Sequence, residues 1–184
     1  ALAREAGAVM LGKTVTTEFA LRHPGPTANP RNPAHTPGGS SSGSAAAVAD
    51  FMVPVAFGTQ TGGSIIRPAS YCGVFGYKPS FSTINSTGVK PLAGSFDTVG
   101  VFARSADDCA LVVDVLSGEA LRLARLEPLR PSRVGLWRTP AWCHAESATV
   151  RALETAAERL AHHRTVVEEL ELPQEFGSFL DAQS

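Results

Sequence analysis

The first hundred residues of the chain carry very little charge, and this limits what they can form more than any other feature. They hold 11 of the 33 charged side chains, while the last 84 residues hold the other 22. The same segment is rich in Gly, Ser, Thr and Pro. Soluble domains average about 25% charged residues. A stretch so poor in charge therefore indicates backbone packed inside a large fold or gathered around a site.

Composition excludes several classes of protein. With 184 residues the chain has the length of one domain, and 43% hydrophobic residues suffice for a buried core. The net charge of −1 leaves no basic surface for nucleic acid or anionic membranes. No run approaches the roughly 18 apolar residues of a membrane-spanning helix, and no signal peptide is visible at the start. We therefore expect a cytoplasmic protein that binds neither nucleic acid nor membrane.

The cysteines point to no special chemistry. Cys72, Cys109 and Cys143 are odd in number and lie 37 and 34 residues apart. Neither a zinc pattern nor a disulfide framework fits that spacing. The sequence therefore predicts inert thiols and no metal site.

Local patterns predict alternating helices and strands, which is typical of the α/β class. The assigned segments are a helix ending near Gly7, a buried strand over 8–11, a long loop over 22–44, a helix over 45–50 capped by Ser44, a strand over 53–57, a strand or turn over 73–78, a helix from Ser105 to Gly118, a strand over 133–137, a helix over 147–163 and a strand over 165–172.

Residues 7–14 match the phosphate-binding pattern G-x-x-x-x-G-K-[ST] in full. Such a loop needs a strand before its first glycine and a helix starting at its lysine, because backbone amides there cradle the phosphate. Here a helical segment precedes Gly7, and Thr14-Val15-Thr16-Thr17 starts a helix poorly. The context disfavours nucleotide binding, which stays as a remote alternative.

A second serine motif is equally incomplete. Gly39-Ser40-Ser41-Ser42-Gly43 satisfies the nucleophile pattern G-x-S-x-G, with Ser41 at its centre. That motif requires a strand that runs directly into the serine. The approach here contains Pro33 and Pro37, which prevent a regular central strand. We interpret Ser41, Ser42 and Ser44 as loop hydroxyls or helix caps.

The strongest sequence signal for function is a pair of glycine- and serine-rich segments. The first, over 38–47, contains Ser40, and the second contains Ser64, 24 residues later. The second segment reads Thr59-Gln60-Thr61-Gly62-Gly63-Ser64, a glycine turn in which backbone amides can converge just before a serine. An oxyanion hole beside a nucleophile is built in this way. Serine needs a base, and no histidine stands in a suggestive position. The base could be a lysine reached through a second hydroxyl, that of Ser40.

The residues that carry a family resemblance extend well beyond these two turns. They are Gly12-Lys13-Thr14, Glu18-Phe19-Ala20, Asn29-Pro30-Arg31-Asn32, 37–49, 58–68, Tyr71-Cys72-Gly73, Lys78-Pro79 and 95–100. Together they resemble the amidase signature family of serine hydrolases. The resemblance is dense over 1–118 and weaker over 119–184, so we assign 1–184 to one partial domain of that family. It implies a mixed, twisted sheet flanked by helices, with no metal or organic cofactor.

The resemblance also implies roles for individual residues. Members of this family use a Ser–cis-Ser–Lys triad, in which Ser64 would form the acyl-enzyme. Ser40, joined to Gly39 by a cis peptide bond, would relay protons between Ser64 and the lysine. The oxyanion hole would consist of the backbone amides of Thr61, Gly62, Gly63 and Ser64.

Two further residues resemble those of malonamidase-like amidases. Arg67 stands where those enzymes hold a substrate carboxylate, a task that suits a guanidinium group. A structural Arg67 that binds backbone carbonyls beside Pro68 is equally compatible with the sequence. Gln60 stands where the A subunits of the amidotransferases that act on charged tRNA usually have Asp, which favours a free amidase.

The family's lysine precedes the Gly12-Lys13-Thr14 segment, and Lys13 matches a different, non-catalytic position. The resemblance therefore implies that this lysine lies before Ala1, that the chain is a central fragment and that it lacks turnover by itself. We expect the whole protein to hydrolyse the C–N bond of a linear, small-molecule carboxamide. The A subunit of a glutamyl- or aspartyl-tRNA amidotransferase is the main alternative, and a homodimer of the full-length protein stays open.

Overall fold

The architecture is taken from a computed structural model, which describes residues 1–118, 133–163, 165–173 and 175–176. The chain divides into two units, Ala1–Arg125 and Leu126–Ser184. The first unit contains α1 (Leu2–Glu5), a 3-10 helix (Glu18–Ala20), α2 (Ser42–Ala49), β1 (Val55–Gln60), α3 (Ile66–Cys72), β2 (Phe75–Tyr77), β3 (Thr98–Ala103) and α4 (Ala106–Ser117). The second contains β4 (Arg133–Leu136), a 3-10 helix (Pro140–His144), α5 (Ser147–His162) and β5 (Val166–Glu169).

The sheet of the first unit has the order β1-β3-β2, and both neighbours are antiparallel to β3. Side chains alternate between the two faces of a strand. Phe102 of β3 accordingly packs among buried residues of α2 and α3, whereas Val101 and Ala103 pack against Cys109 and Val113 of α4. The sheet therefore lies between helices on both faces. In the second unit β4 and β5 are parallel, and the predicted α/β class is confirmed.

Helix α2 is the most enclosed element of the first unit. All eight of its residues are buried. A helix that is apolar or small on every side belongs inside a fold rather than on its surface. Residues 37–49 are all buried and carry no charged side chain, because neighbouring backbone packs directly against their alanine, serine and glycine residues.

Several predicted elements are confirmed. In α4 the hydroxyl of Ser105 accepts a hydrogen bond from the amide of Asp108 at 3.0 Å, and Gly118 ends the helix with a φ of 68°. This is the predicted N-cap with its terminal glycine. Helix α5 and strand β4 also lie where the sequence predicts them.

The predicted strand over 8–11 is wrong. Val9 and Leu11 are 80% and 72% exposed, and this segment pairs with no other strand of the described residues. Helix α2 also starts at Ser42, three residues before the predicted start, and Ser44 does not cap it. An apolar tetrapeptide alone does not specify a strand, because a strand needs a neighbour to satisfy its backbone groups.

The sequence-based assignment misses α3 and β3. Pro68 is the third residue of α3, where its missing amide proton costs no helical hydrogen bond. Strand β3 is nearly continuous in apolar residues, since both of its faces are covered. Among the described residues, no helix has the length and apolar character needed to span a bilayer.

Candidate active site

Ser40 lies in a buried turn directly before α2. The peptide bond between Gly39 and Ser40 is cis, as the family resemblance implied. The carbonyl of Ser40 accepts a hydrogen bond from the amide of Thr17 at 3.0 Å, and the amide of Ser41 donates to the carbonyl of Ser64 at 3.3 Å. A direct backbone hydrogen bond therefore joins the two serine turns that the sequence singled out.

Ser64 is half-buried in the turn between β1 and α3, and Gln60 holds that turn from inside. Gln60 is 7% exposed. Its Oε1 accepts hydrogen bonds from the amides of Ile65 and Ile66 at 2.8 and 3.0 Å, and its Nε2 donates to the carbonyl of Gly62 at 3.1 Å. Sequence reasoning used Gln60 only to compare subfamilies and missed this role, because the bonds depend on the folded turn.

The amides of the same turn divide into two groups. Those of Ile65 and Ile66 are bound to Gln60. Those of Gly62, Gly63 and Ser64 donate no hydrogen bond within the described part of the chain. Three adjacent backbone amides that have no acceptor, those of two glycines and of the serine after them, are able to bind an oxyanion.

The serine hydroxyls around the site also divide into two groups. The Oγ atoms of Ser41, Ser42 and Ser44 donate to the carbonyls of Thr59, Val15 and Phe57, respectively, at 3.3, 3.3 and 2.7 Å. These three hydroxyls are therefore structural, but Ser42 and Ser44 lie within α2 rather than in a loop, and none of the three side chains caps that helix. By contrast, the hydroxyls of Ser40 and Ser64 make no hydrogen bond within the residues described here. They are the two in this cluster that remain available for chemistry.

The glycine-lysine segment over 7–14 lacks the phosphate-binding arrangement. No helix begins at Lys13, whose Nζ donates to the carbonyl of Thr14 at 2.5 Å and to Oγ1 of Thr16 at 3.3 Å. Oγ1 of Thr14 is instead hydrogen-bonded to Oγ of Ser44 at 2.7 Å. The end of the segment is thereby bound to α2, while residues 7–13 are exposed.

All three lysines of the chain lie in the described part, and none of them hydrogen-bonds to Ser40. Lys13 is engaged as above, Nζ of Lys78 donates to the carbonyl of Pro79 at 2.6 Å, and the third is Lys90. The ammonium group of Lys13 is thus bound within its own segment and not to the Ser40 turn.

A cleft of about 380 Å³ adjoins the Gly39–Ser40 turn. Two guanidinium groups, those of Arg22 and Arg67, line it together with Thr17, Leu21, Pro24, Thr36, Gly38, Gly39 and Tyr71. Nη1 of Arg67 lies 3.4 Å from the carbonyl oxygen of Gly39. This contact is long for a charge-assisted hydrogen bond, so the guanidinium still has donors for a ligand.

Asp97 is a further residue at the site whose role the sequence did not indicate. Its Oδ1 accepts a hydrogen bond from Oγ1 of Thr61 at 2.5 Å, and its Oδ2 accepts from the amides of Leu92 and Ala93 at 2.7 and 2.9 Å. Partial burial raises the pKa of Asp97, but these three hydrogen bonds outweigh it and lower the pKa below its usual value. They stabilise the fold above the ordinary carboxyl pKa and are lost as the pH falls through the lowered one.

The described residues contain no group of three or more His, Cys, Asp or Glu side chains that could hold a metal ion. Cys72 and Cys109 are buried and Cys143 is exposed, all three with free thiols. Burial raises the pKa of Cys72 to about 11. Burial therefore disfavours the thiolate, which is the reactive form of a cysteine.

Replacing Gln60 with leucine should destabilise the protein by about 2–4 kcal/mol. The substitution removes three hydrogen bonds and leaves the amides of Ile65 and Ile66 without an acceptor, and each unsatisfied buried group costs about 1–3 kcal/mol. Urea unfolding measures the loss, with Gln60→Glu as a variant that keeps the Oε1 acceptor. A Gln60→Leu protein as stable as the wild type would contradict the role assigned to this side chain.

Comparison with known proteins identifies the family. A family model described as Amidase matches residues 1–179. The chain therefore belongs to the amidase family, as the two serine turns and their flanking segments predicted.

Individual relatives support the same assignment. The A subunit of glutamyl-tRNA(Gln) amidotransferase from Deinococcus radiodurans is 39% identical over 193 residues, covering 92% of this chain and 39% of that protein. The peptide amidase from Stenotrophomonas maltophilia has a TM-score of 0.84 at 36% identity over 99% of this chain and 42% of its own. The A subunit of glutamyl-tRNA(Gln) amidotransferase from Thermotoga maritima has a TM-score of 0.83 at 28% identity, covering all of this chain and 47% of its own. The chain spans about a quarter to two fifths of the length of the curated relatives that it matches.

Proposed function

We propose that the protein hydrolyses a carboxamide to a carboxylate and ammonia through an acyl-enzyme on Ser64. The observation that carries this proposal is the hydrogen bond from the amide of Ser41 to the carbonyl of Ser64, which joins the two serine turns. The unengaged hydroxyls of Ser40 and Ser64 and the unpaired amides of the 62–64 turn support it further.

The proposed reaction has two steps. Oγ of Ser64 attacks the amide carbon, and its proton passes to Ser40, whose own hydroxyl proton moves on toward a lysine. The amides of Thr61, Gly62, Gly63 and Ser64 bind the oxyanion that develops. The C–N bond breaks, the nitrogen leaves as ammonia with the returned proton, and water then hydrolyses the ester on Ser64. No cofactor is needed.

The proposed substrate is a small carboxamide that carries a second, negative group. This follows from the cleft beside Gly39, which Arg22 and Arg67 line. Guanidinium groups bind carboxylates through paired, charge-assisted hydrogen bonds. One proposed role of Arg67 is therefore to bind and orient the acidic end of such an amide.

Replacing Arg67 with alanine should raise KM about 10- to 100-fold for amides that carry a carboxylate and leave KM for neutral amides within about twofold. A hydrogen bond to a charged group contributes about 1.5–3 kcal/mol, which corresponds to that range of binding. Steady-state kinetics on matched acidic and neutral amides measures the difference. Arg67→Lys is a variant that keeps the positive charge but loses the paired donors of the guanidinium group. Equal losses on both substrates would instead assign Arg67 to the structural alternative, through its contact with Gly39.

A second candidate function is that of the A subunit of an amidotransferase, since several relatives carry that name. It would require partner chains and tRNA, whereas Gln60 in place of Asp favours a free amidase. Purification of the full-length protein separates the two. Stable co-purification of other subunits with tRNA supports the amidotransferase.

Ammonia release tests the amidase directly. The purified full-length protein, without other subunits, should release one ammonia per carboxylate formed from simple carboxamides. A full-length, folded protein that hydrolyses none of a panel of acidic, neutral and peptide amides would contradict the proposal.

A further inference from the structure

We propose that Asp97 is a positioning residue for the oxyanion loop, defined as residues 61–64. It would hold the point where this loop leaves the sheet, and so set the direction of the amides that bind the oxyanion. The inference rests on the proposed amidase function and adds to it a residue that acts through the Thr61 side chain.

The sheet register places Asp97 at that point. The antiparallel ladder between β1 and β3 ends with Gln60 opposite Thr98. Continued by one residue, the same register sets Thr61 opposite Asp97. At this position a side-chain hydrogen bond links the two segments in place of backbone pairing, because Oγ1 of Thr61 donates to Oδ1 of Asp97 at 2.5 Å. The first residue of the oxyanion loop is thus tied to the strand beside it.

The second carboxylate oxygen anchors Asp97 itself. Oδ2 accepts hydrogen bonds from the amides of Leu92 and Ala93, and the backbone amide of Asp97 donates to the carbonyl of Ala93 at 2.9 Å. The carboxylate therefore has little freedom to follow Thr61 if that residue moves. A carboxylate with hydrogen bonds on both oxygens is a rigid acceptor, and a rigid acceptor can orient the group that donates to it.

The two ends of the oxyanion loop are held differently. Gln60 binds Gly62 within the loop and the two residues that follow the loop, Ile65 and Ile66. Asp97 binds the first residue of the loop, Thr61. The three donors to Asp97 are neutral hydroxyl and amide groups. Hydrogen bonds to an ionised acceptor are roughly twice as strong as neutral ones. An asparagine of the same shape would lose this strength and would have to present its NH₂ group to one set of donors.

Asp97→Asn tests the inference in the full-length protein. We expect kcat to fall about 10- to 100-fold with KM within about twofold, because a misplaced oxyanion loop weakens transition-state binding and leaves substrate binding intact. The rate at which a fluorophosphonate labels Ser64 should fall by the same factor. Asp107→Asn, which removes an exposed carboxylate of α4, is the matched control and should change neither rate.

Thr61→Val tests the same link by removing only the hydroxyl, and it carries the test if Asp97→Asn does not fold. We expect kcat to fall about tenfold, again without a matching change in KM. The double variant should be no slower than Asp97→Asn, since both substitutions break one interaction.

Three outcomes would overturn the inference. If Asp97→Asn is labelled at Ser64 at the wild-type rate and has an unchanged kcat, this inference is overturned but the proposed function is not. Multiplying losses in the double variant would show that Asp97 does not act through Thr61. Failure of the fluorophosphonate to label Ser64 in the wild-type protein would overturn the proposed function, and this inference with it.

Discussion

Replacing Ser64 with alanine should abolish covalent labelling by a fluorophosphonate and lower amide turnover by at least about 10⁴-fold. Without Oγ of Ser64 the protein has no atom to form the proposed acyl intermediate, and only the proposed oxyanion hole and substrate binding remain to give a residual rate. The structure favours Ser64 because its hydroxyl is unengaged, whereas those of Ser41, Ser42 and Ser44 bind backbone carbonyls. Intact-mass analysis should show one adduct in the wild-type protein and none in Ser64→Ala.

Two variants make that experiment specific. Ser70→Ala removes an exposed hydroxyl from the helix that follows Ser64, and it should be labelled at the wild-type rate. Lys13→Met should also keep full labelling, because the ammonium group of Lys13 is bound to Thr14 and Thr16. An adduct that survives in Ser64→Ala, or that maps to Ser41, would show that the nucleophile is assigned wrongly. Loss of labelling in Lys13→Met would show that the base is assigned wrongly.

Replacing Gly43 with alanine should destabilise the protein by about 3 kcal/mol. A Cβ at this position in the first turn of α2 would lie 3.1 Å from Cα of Val15 and nearer still to its backbone nitrogen and oxygen. Overpacking of this kind costs about 1–3 kcal/mol. It would also displace the hydrogen bond from the amide of Gly43 to the carbonyl of Val15, worth about 1 kcal/mol.

This prediction has the opposite sign to the one that helix propensity makes, since alanine is favoured over glycine within a helix by about 1 kcal/mol. Urea unfolding therefore separates the two effects. Gly12→Ala is the control, because a Cβ on Gly12 would meet no atom within 4 Å and Gly12 has an ordinary φ; its stability should stay within about 0.5 kcal/mol of the wild type. A Gly43→Ala protein that is at least as stable as the wild type would contradict the prediction and show that the backbone at Val15 can move away from the added Cβ.

The elements that were predicted correctly depend on neighbours in sequence. The cap of α4 needs only Ser105 and the amide three residues later, and the period of α5 is visible within its own residues. The missed elements depend on distant ones. Strand β3 is apolar on both faces because α2 and α3 cover one and α4 the other. The segment over 8–11 has strand-like residues but no neighbouring strand among those described.

The candidate site divides in the same way. The amino-acid sequence by itself determined that two glycine-serine turns exist, that the second offers backbone amides before a serine, and to which family the chain belongs, because short-range backbone chemistry and motif order carry that information. Only the tertiary structure decided which serines are free. The hydroxyls of Ser41, Ser42 and Ser44 are occupied by carbonyls 13 to 27 residues away, and Asp97 reaches Thr61 across 36 residues. A hydrogen bond joins groups by their distance in space, which folding sets and residue order does not.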